Sequence, residues 1–266
     1  MQPRMLGKTS IQVSPIGLGT VKFGRNEAVK YPSHFEIPTD EEARSLLCFA
    51  KQLGVNVLDT APAYGMSEER LGKLLPPKER KDWVIVTKIG EEFIQGESQY
   101  NFTPEHARFS IERSLKRLNT DFIDVMLVHS DGNDVYNIQH FGILECLSDL
   151  KQMGLIRATG MSTKTVEGGL LALDHSDIVM VTYNPLETGE RSVIRRAHEL
   201  QKGILIKKAL ASGHIDKIKA MDSGASLDPV SYSLNFILQE PGVSSVIIGT
   251  LKQKHLQAVV EIASTI

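Results

Sequence analysis

The chain has 266 residues, 41% hydrophobic and 23% charged, which is a globular mixture and excludes a disordered, collagenous or coiled-coil chain. Lys and Arg number 30 against 32 Asp and Glu, a net charge of −2, so bulk charge gives no footprint for nucleic acid or an anionic membrane. The longest hydrophobic run, Leu46 to Ala50, is five residues, far short of the ~20 that span a bilayer as a helix. The first residues carry no apolar stretch of the kind a secretory signal needs. Cys48 and Cys146 both sit inside helical apolar patterns, so buried, unpaired thiols in a reducing cytoplasm are expected.

In chain order, the first candidate strand begins near Ile16 and is followed by a long irregular stretch from Phe23 to Pro38. Thr39-Asp-Glu-Glu42 is a capping box, with Ala43, Leu46, Leu47 and Ala50 forming the apolar face of a helix that stops at Gly54. Strands follow near Val55 and Trp83. Thr103-Pro104 opens a helix with Ala107, Ile111, Leu115 and Leu118 on one face. A strand near Asp124 leads to a helix holding Ile143, Leu147 and Leu150 up to Gly154. Strands near Leu155 and Ile178 come next, then a helix with Ile194, Ala197 and Leu200 running to Gly203. Strands near Ile204 and Ser245 precede a last helix with Leu256, Val259, Val260 and Ala263.

The eight strand starts recur about every 33 residues, the length of one strand-helix unit. Runs such as Val84-Ile85-Val86 and Val125-Met126-Leu127-Val128 suit parallel strands covered on both faces. The expected fold is a single (β/α)8 TIM barrel over residues 1–266, with an N-terminal extension and a shortened C-terminus. An open doubly wound sheet is compatible with the same alternation, but no G-x-G-x-x-G follows the first strand.

A barrel enzyme keeps its chemistry where the strands end. Here the second strand runs into Asp59, the third into Lys88 and the fourth into His129, and Tyr64 lies in the turn-rich loop beyond Asp59. Singly, each has an ordinary explanation: a turn cap, a surface charge, a structural histidine, a packed aromatic. Together they suit one task. A phenol with pKa ~10 exchanges its proton poorly near neutrality, and a neighbouring Lys+ is expected to lower that pKa, with Asp− holding the Lys charged. His129 can hydrogen-bond a carbonyl oxygen, and Tyr64 can protonate it as it becomes an alkoxide. Side chains cannot supply the hydride this requires.

These segments resemble the aldo-keto reductase superfamily. The resemblance is carried by Gly54-Val-Asn-Val-Leu-Asp59-Thr-Ala-Pro-Ala-Tyr64-Gly65-Met-Ser-Glu68, Val86-Thr-Lys88, Leu127-Val-His129, Ile16-Gly-Leu-Gly-Thr20 and Ile247-Ile-Gly-Thr250. It implies a reductase of aldehydes and ketones, working in either direction, with Tyr64 as the acid-base residue, Asp59 and Lys88 tuning it and His129 orienting the carbonyl. It also implies NADP(H) across the barrel mouth, with Gly19 and Thr20 at the nicotinamide end, Ser162 and Thr163 at the carboxamide, Lys207 facing the nicotinamide, and Gly249, Thr250, Lys252 and His255 at the adenosine phosphate. Departures from the family pattern are Thr163 for Asn, Met180 for Gln, Lys207 for an aromatic, His255 for Arg and Val259 for a polar residue.

The expected partner is a small carbonyl or sugar substrate, with no nucleic acid, membrane or metal, in a cytoplasmic monomer or weak oligomer. A nucleotide-binding regulatory barrel with little turnover is the main alternative; a Schiff-base lyase using Lys88 is a more distant one. The loop from Phe23 to Pro38, with Phe23, Tyr31 and Phe35, and Tyr136 after the fourth strand are the expected substrate walls around an open site.

Overall fold

The computed structural model describes residues 1–220 and 228–266. A short antiparallel hairpin, β1 (Arg4–Met5) and β2 (Gln12–Val13), comes first. β3 (Ile16–Gly19), α1 (Asp40–Gln52), β4 (Val57–Asp59), α2 (Ser67–Leu74) and β5 (Val84–Ile89) follow. A second hairpin, β6 (Glu91–Ile94) and β7 (Glu97–Tyr100), leaves the barrel before α3 (Pro104–Leu118) and β8 (Ile123–His129). The chain continues through α4 (Asp134–Phe141), α5 (Ile143–Gln152), β9 (Ile156–Ser162), α6 (Val166–His175), β10 (Ile178–Thr182), α7 (Arg191–Leu200) and β11 (Gly203–Lys207). It ends with α8 (Ile215–Lys219), α9 (Pro229–Leu238), β12 (Ser245–Ile248) and α10 (Gln253–Ser264).

β3, β4, β5, β8, β9, β10, β11 and β12 pair in parallel, each with the next barrel strand, and β12 returns to β3. The closed barrel excludes the doubly wound alternative. The apolar core divides as the strand pleat requires. Ile16, Leu18, Leu58, Ile85 and Met126 face the helices, while Val57, Val84, Val86, Val125, Leu127, Ala158, Ile178, Met180 and Leu205 fill the interior. Leu6, Ile11 and Val13 of the first hairpin join that inner cluster and are fully buried, so the hairpin plugs one end of the barrel. The predicted N-terminal extension is that floor.

The helix starts follow their sequence signals. Thr39 and Glu42 form the reciprocal capping box of α1, and Thr103 accepts from the His106 amide at the start of α3. Two local expectations fail. The α7 helix stops at Gln201, in the left-handed region at φ 55°, and Gly203 already belongs to β11. Cys48 is exposed, whereas Cys146 is buried as expected. Ala43, Leu46, Leu47 and Ala50 take the buried face of α1, and Cys48, about 100° round the helix from Leu47, lies on the solvent side.

The plug makes the floor a stability element. Leu6→Ala is expected to cost about 2–5 kcal/mol in equilibrium urea unfolding, because the cavity opens between hairpin and barrel where little can collapse into it. An unchanged midpoint would show that the hairpin does not seal the interior.

Candidate active site

The barrel register gathers the polar residues at one rim. Asp59 is the Cα partner of Gly19 on one side and of Val86 on the other, and His129 is the partner of Ser162. Lys88 Nζ reaches sideways to Asp59 Oδ1 at 2.6 Å and to the Thr60 carbonyl at 2.8 Å. Both charges are nearly sealed, Lys88 at 1% and Asp59 at 5% exposure. The pair survives burial because each charge has its counter-charge in hydrogen-bond contact.

Tyr64 ends a single turn of 3-10 helix, Pro62–Tyr64, stacked over this pair. Lys88 Nζ lies 4.7 Å from the Tyr64 ring centroid, and the His129 ring meets the phenol edge-on at 6.2 Å. The turn depends on Gly65. It sits at φ +60°, and a Cβ there would be 2.2 Å from the Gly24 carbonyl oxygen, so only glycine lets the two loops close. The four residues that the sequence places at three strand ends thus form one cluster.

Their electrostatics differ from the sequence expectation. Tyr64 is pushed well above its ordinary pKa by burial, then by Asp59, Tyr31 and Glu91. Arg25 pulls the other way and is outweighed, while Lys88, 4.7 Å from the ring centroid, donates to Asp59 and Thr60. Tyr64 is therefore a phenol held in its protonated form.

Two residues that sequence reasoning missed complete the rim. Glu91, at the start of β6, places Oε2 2.7 Å from His129 Nδ1 and accepts from Ser98 Oγ at 2.6 Å through Oε1. Burial raises the Glu91 pKa, but His129, Ser98 and Arg25 outweigh it and hold the carboxyl at about 2. Burial in turn lowers His129, against the raising influence of Glu91. Arg25 stacks on Phe93 at 3.5 Å, donates to the Ala63 carbonyl and lies 4.0 Å from Glu91 Oε1. Gln95-Gly96, both at positive φ, was the available signal for this hairpin.

The expected cofactor residues fall into three groups. Ser162, Thr163 and Lys207 are joined directly: Lys207 Nζ donates to Ser162 Oγ at 2.9 Å and to the Thr163 carbonyl at 2.6 Å. Burial lowers the Lys207 pKa to about 8, with Glu190 pulling the other way. Thr163 donates its hydroxyl to Glu190 at 3.2 Å. Gly19 and Gly249 lie side by side at the ends of β3 and β12, close enough that a Cβ on Gly19 would stand 3.7 Å from Gly249. Thr20 is fully buried, donates its hydroxyl to the Asp59 carbonyl and meets Ser67 Oγ at 2.7 Å, and Thr250 accepts from the Lys252 amide, so both hydroxyls shape the backbone. Lys252 and His255 form the third group, on the exposed start of α10.

The expected walls need correction. Phe23 is fully buried in the outer core, and Tyr136 is exposed and stacked on His140. Tyr31 does reach the rim. Its hydroxyl would stand 2.8 Å from a Cβ on Gly249, and burial, then Asp59, raises its pKa to about 12. Lys22, also missed, sits over the Tyr31 and Phe35 rings at 4.1 and 4.8 Å. A groove of about 690 Å³ runs between Glu36–Thr39 and α1 and includes Leu251 and Gln253, beside the basic start of α10 rather than over Tyr64.

The Aldo/keto reductase family matches residues 15–225, and the chain belongs to that family. It is an NAD(P)H-dependent oxidoreductase. The oxidoreductase YqkF of Bacillus subtilis (strain 168) is 28% identical over 99% of this chain and 92% of its own length. A crystal structure from Pseudomonas aeruginosa assigned to the aldo-keto reductases is 49% identical, covers 99% of this chain and 94% of its own, and superposes with a TM-score of 0.88. L-galactose dehydrogenase of Arabidopsis thaliana is 33% identical over 60% of this chain and 47% of its own length.

Glu91 makes the site acid-sensitive in a defined direction. A carboxyl held near pKa 2 contributes stability that is complete above the ordinary glutamate range and disappears as the pH falls through about 2. The stability gap between wild type and Glu91→Gln is expected to shrink from pH 6 to the acid limit of folding, about pH 3, in urea titrations at several pH values. A gap independent of pH would contradict the Glu91 environment.

Proposed function

We propose that the chain reduces small carbonyl compounds or sugars with NADPH, or runs the reverse oxidation, with Tyr64 as the general acid. The observation that carries this reading is the buried Lys88–Asp59 pair beneath a protonated Tyr64, next to His129 at the open ends of three adjacent strands. A neutral phenol beside a neutral imidazole is ready to donate to a carbonyl oxygen as negative charge develops there. The buried ion pair fixes the position of the ring without competing for its proton. Names among the relatives agree in substrate class: L-galactose dehydrogenase, D-arabinose 1-dehydrogenase of Saccharomyces cerevisiae and 6-dehydroglucose reductase of Novosphingobium aromaticivorans.

The residues at the rim fit a phosphorylated nicotinamide cofactor, which supplies the hydride when bound. Gly19 and Gly249 set bare backbone side by side at the ends of β3 and β12, with the Tyr31 hydroxyl against Gly249. Lys22, Lys252, Lys254 and His255 cluster closely enough that the lysines depress His255 and Lys252 depresses Lys22, after burial in each case. None of the four has an ion-pair partner among the described residues. Cations gathered without anions suit phosphate groups. Ser162 and Lys207 would hold the carboxamide end. The chain acts as one catalytic unit over residues 1–266, in the cytoplasm; no helix among the described residues is long and apolar enough to cross a membrane.

Tyr64→Phe is expected to lower kcat for aldehyde reduction by about 10²–10⁴-fold while NADPH binding, followed by nucleotide fluorescence, is unchanged. A folded variant with full turnover would refute the assignment. NADPH is expected to bind more tightly than NADH, and the ratio should grow as the pH falls below the ordinary imidazole range and the depressed His255 takes up its proton. Isothermal titration with both nucleotides at two pH values measures this, and an equal or reversed preference would contradict the phosphate site.

A further inference from the structure

Two lysines stand at the strand ends of this rim, Lys88 on β5 and Lys207 at the end of β11, and among the described residues only Lys88 is matched by a carboxylate. Lys88 Nζ lies 2.6 Å from Asp59 Oδ1, an acceptor-only partner that favours the ammonium. Lys207 has no ion-pair partner among the described residues. It donates instead to two neutral oxygens, Ser162 Oγ at 2.9 Å and the Thr163 carbonyl at 2.6 Å. Glu190, the carboxylate that weighs most on it, is engaged elsewhere, by the Thr163 hydroxyl at 3.2 Å and the Thr182 amide at 2.8 Å.

Two acceptors need two N–H bonds, and a neutral amine has two. Lys207 can therefore give up its third proton without breaking either hydrogen bond, and a lone pair is freed that neither partner uses. Burial, with Lys208 and Lys164 adding repulsion, outweighs Glu190 and Asp134 and brings its pKa to about 8. At that pH about half of the side chain is free amine, against roughly 1% or less of an ordinary lysine with pKa ~10.4. Lys22 is the other lysine that burial draws down among the described residues, but its ammonium sits over the Tyr31 and Phe35 rings, which favours the charged form.

The position suits a carbonyl compound. Ser162 is the strand partner of His129, so the amine stands one strand from the imidazole, near enough for its charge to lower His129. The side chain is partly exposed there. We propose that Lys207 is a covalent aldehyde site, which forms a reversible imine with small aldehydes when nucleotide is absent. The Nζ lone pair bonds to the carbonyl carbon, the carbon–oxygen double bond opens, and the oxygen leaves as water with the two amine hydrogens. Nothing is oxidised or reduced. Ser162 Oγ, which accepts from the amine, can donate to the imine nitrogen afterwards. Because Lys207 would also hold the carboxamide end of the nucleotide, aldehyde and nucleotide exclude each other at this residue; only that exclusion rests on the functional reading above.

The experiment treats the full-length protein, without nucleotide, with propionaldehyde and sodium cyanoborohydride, which reduces the imine to a stable secondary amine. Peptide mass spectrometry then follows each lysine. At pH 8, Lys207 is expected to be labelled about tenfold or more faster than exposed lysines such as Lys8 and Lys78, and Lys88 to stay unlabelled. The ratio should be steady below about pH 8 and fall above it, where Lys207 is already neutral and the exposed lysines still gain amine. Lys207 labelled no faster than the exposed lysines, or Lys88 labelled in its place, would overturn the inference. Lys207→Arg keeps the charge and cannot form the imine, so the fast phase of labelling should vanish; a fast phase that persists would also overturn it. The wild-type map decides the matter even if the variant fails to fold. Saturating NADP+, which cannot reduce the aldehyde, is expected to slow the Lys207 label by about tenfold or more. A label that NADP+ leaves untouched would defeat the carboxamide assignment in the functional reading, and the aldehyde site would stand.

Discussion

The rim of this barrel is organised by one buried ion pair. Lys88 and Asp59 belong to adjacent strands, and neither charge could remain at that depth without the other. Their contact at 2.6 Å, with the Thr60 carbonyl as a further acceptor, fixes the level at which the Pro62–Tyr64 turn stacks over the barrel. The turn then meets the loop after β3 through Gly65 and Gly24, and Arg25 of that loop donates to Ala63. From there the contacts run to Phe93, Glu91 and His129. The site is a ring of dependencies that starts from this pair.

Burial decides the state of the tyrosine: it outweighs the pull of Arg25 and keeps the phenol intact. Around the mouth stand a protonated phenol at Tyr64, a neutral imidazole at His129 and, at the start of α10, cations unpaired among the described residues. Each has a different origin, respectively burial, the balance between burial and Glu91, and a cluster of lysines that gathers no carboxylate among those residues.

Much of this was legible in the sequence for a simple reason. Barrel strands are continuous apolar runs, so the first charged residue after each run marks the rim, and Asp59, Lys88 and His129 stand at three such points. Fold and cluster could be read from that alone. Glu91 could not. It begins a strand of mixed polarity in a hairpin outside the barrel, and its partner lies on a strand reached only after α3. The Phe23–Pro38 loop gave one right wall and one wrong one: Tyr31 reaches the rim, with Lys22 over its ring, while Phe23 packs into the core, a choice set by the path of the loop and not by residue type. The direction of the tyrosine pKa was not legible, because it is set first by burial, which only the packing of the loops reveals.

The account stands on Tyr64 being a protonated phenol above a buried ion pair. The direct measurement is the ultraviolet tyrosinate signal as a function of pH, taken as the difference between wild type and Tyr64→Phe, with no nucleotide bound. The difference should be flat through neutrality and the ordinary tyrosine range, and should appear only above it, where burial has moved the ionisation. A tyrosinate that titrates below the ordinary value of about 10 would show that the cations around the phenol outweigh its burial, and the account of the rim would be wrong at its centre.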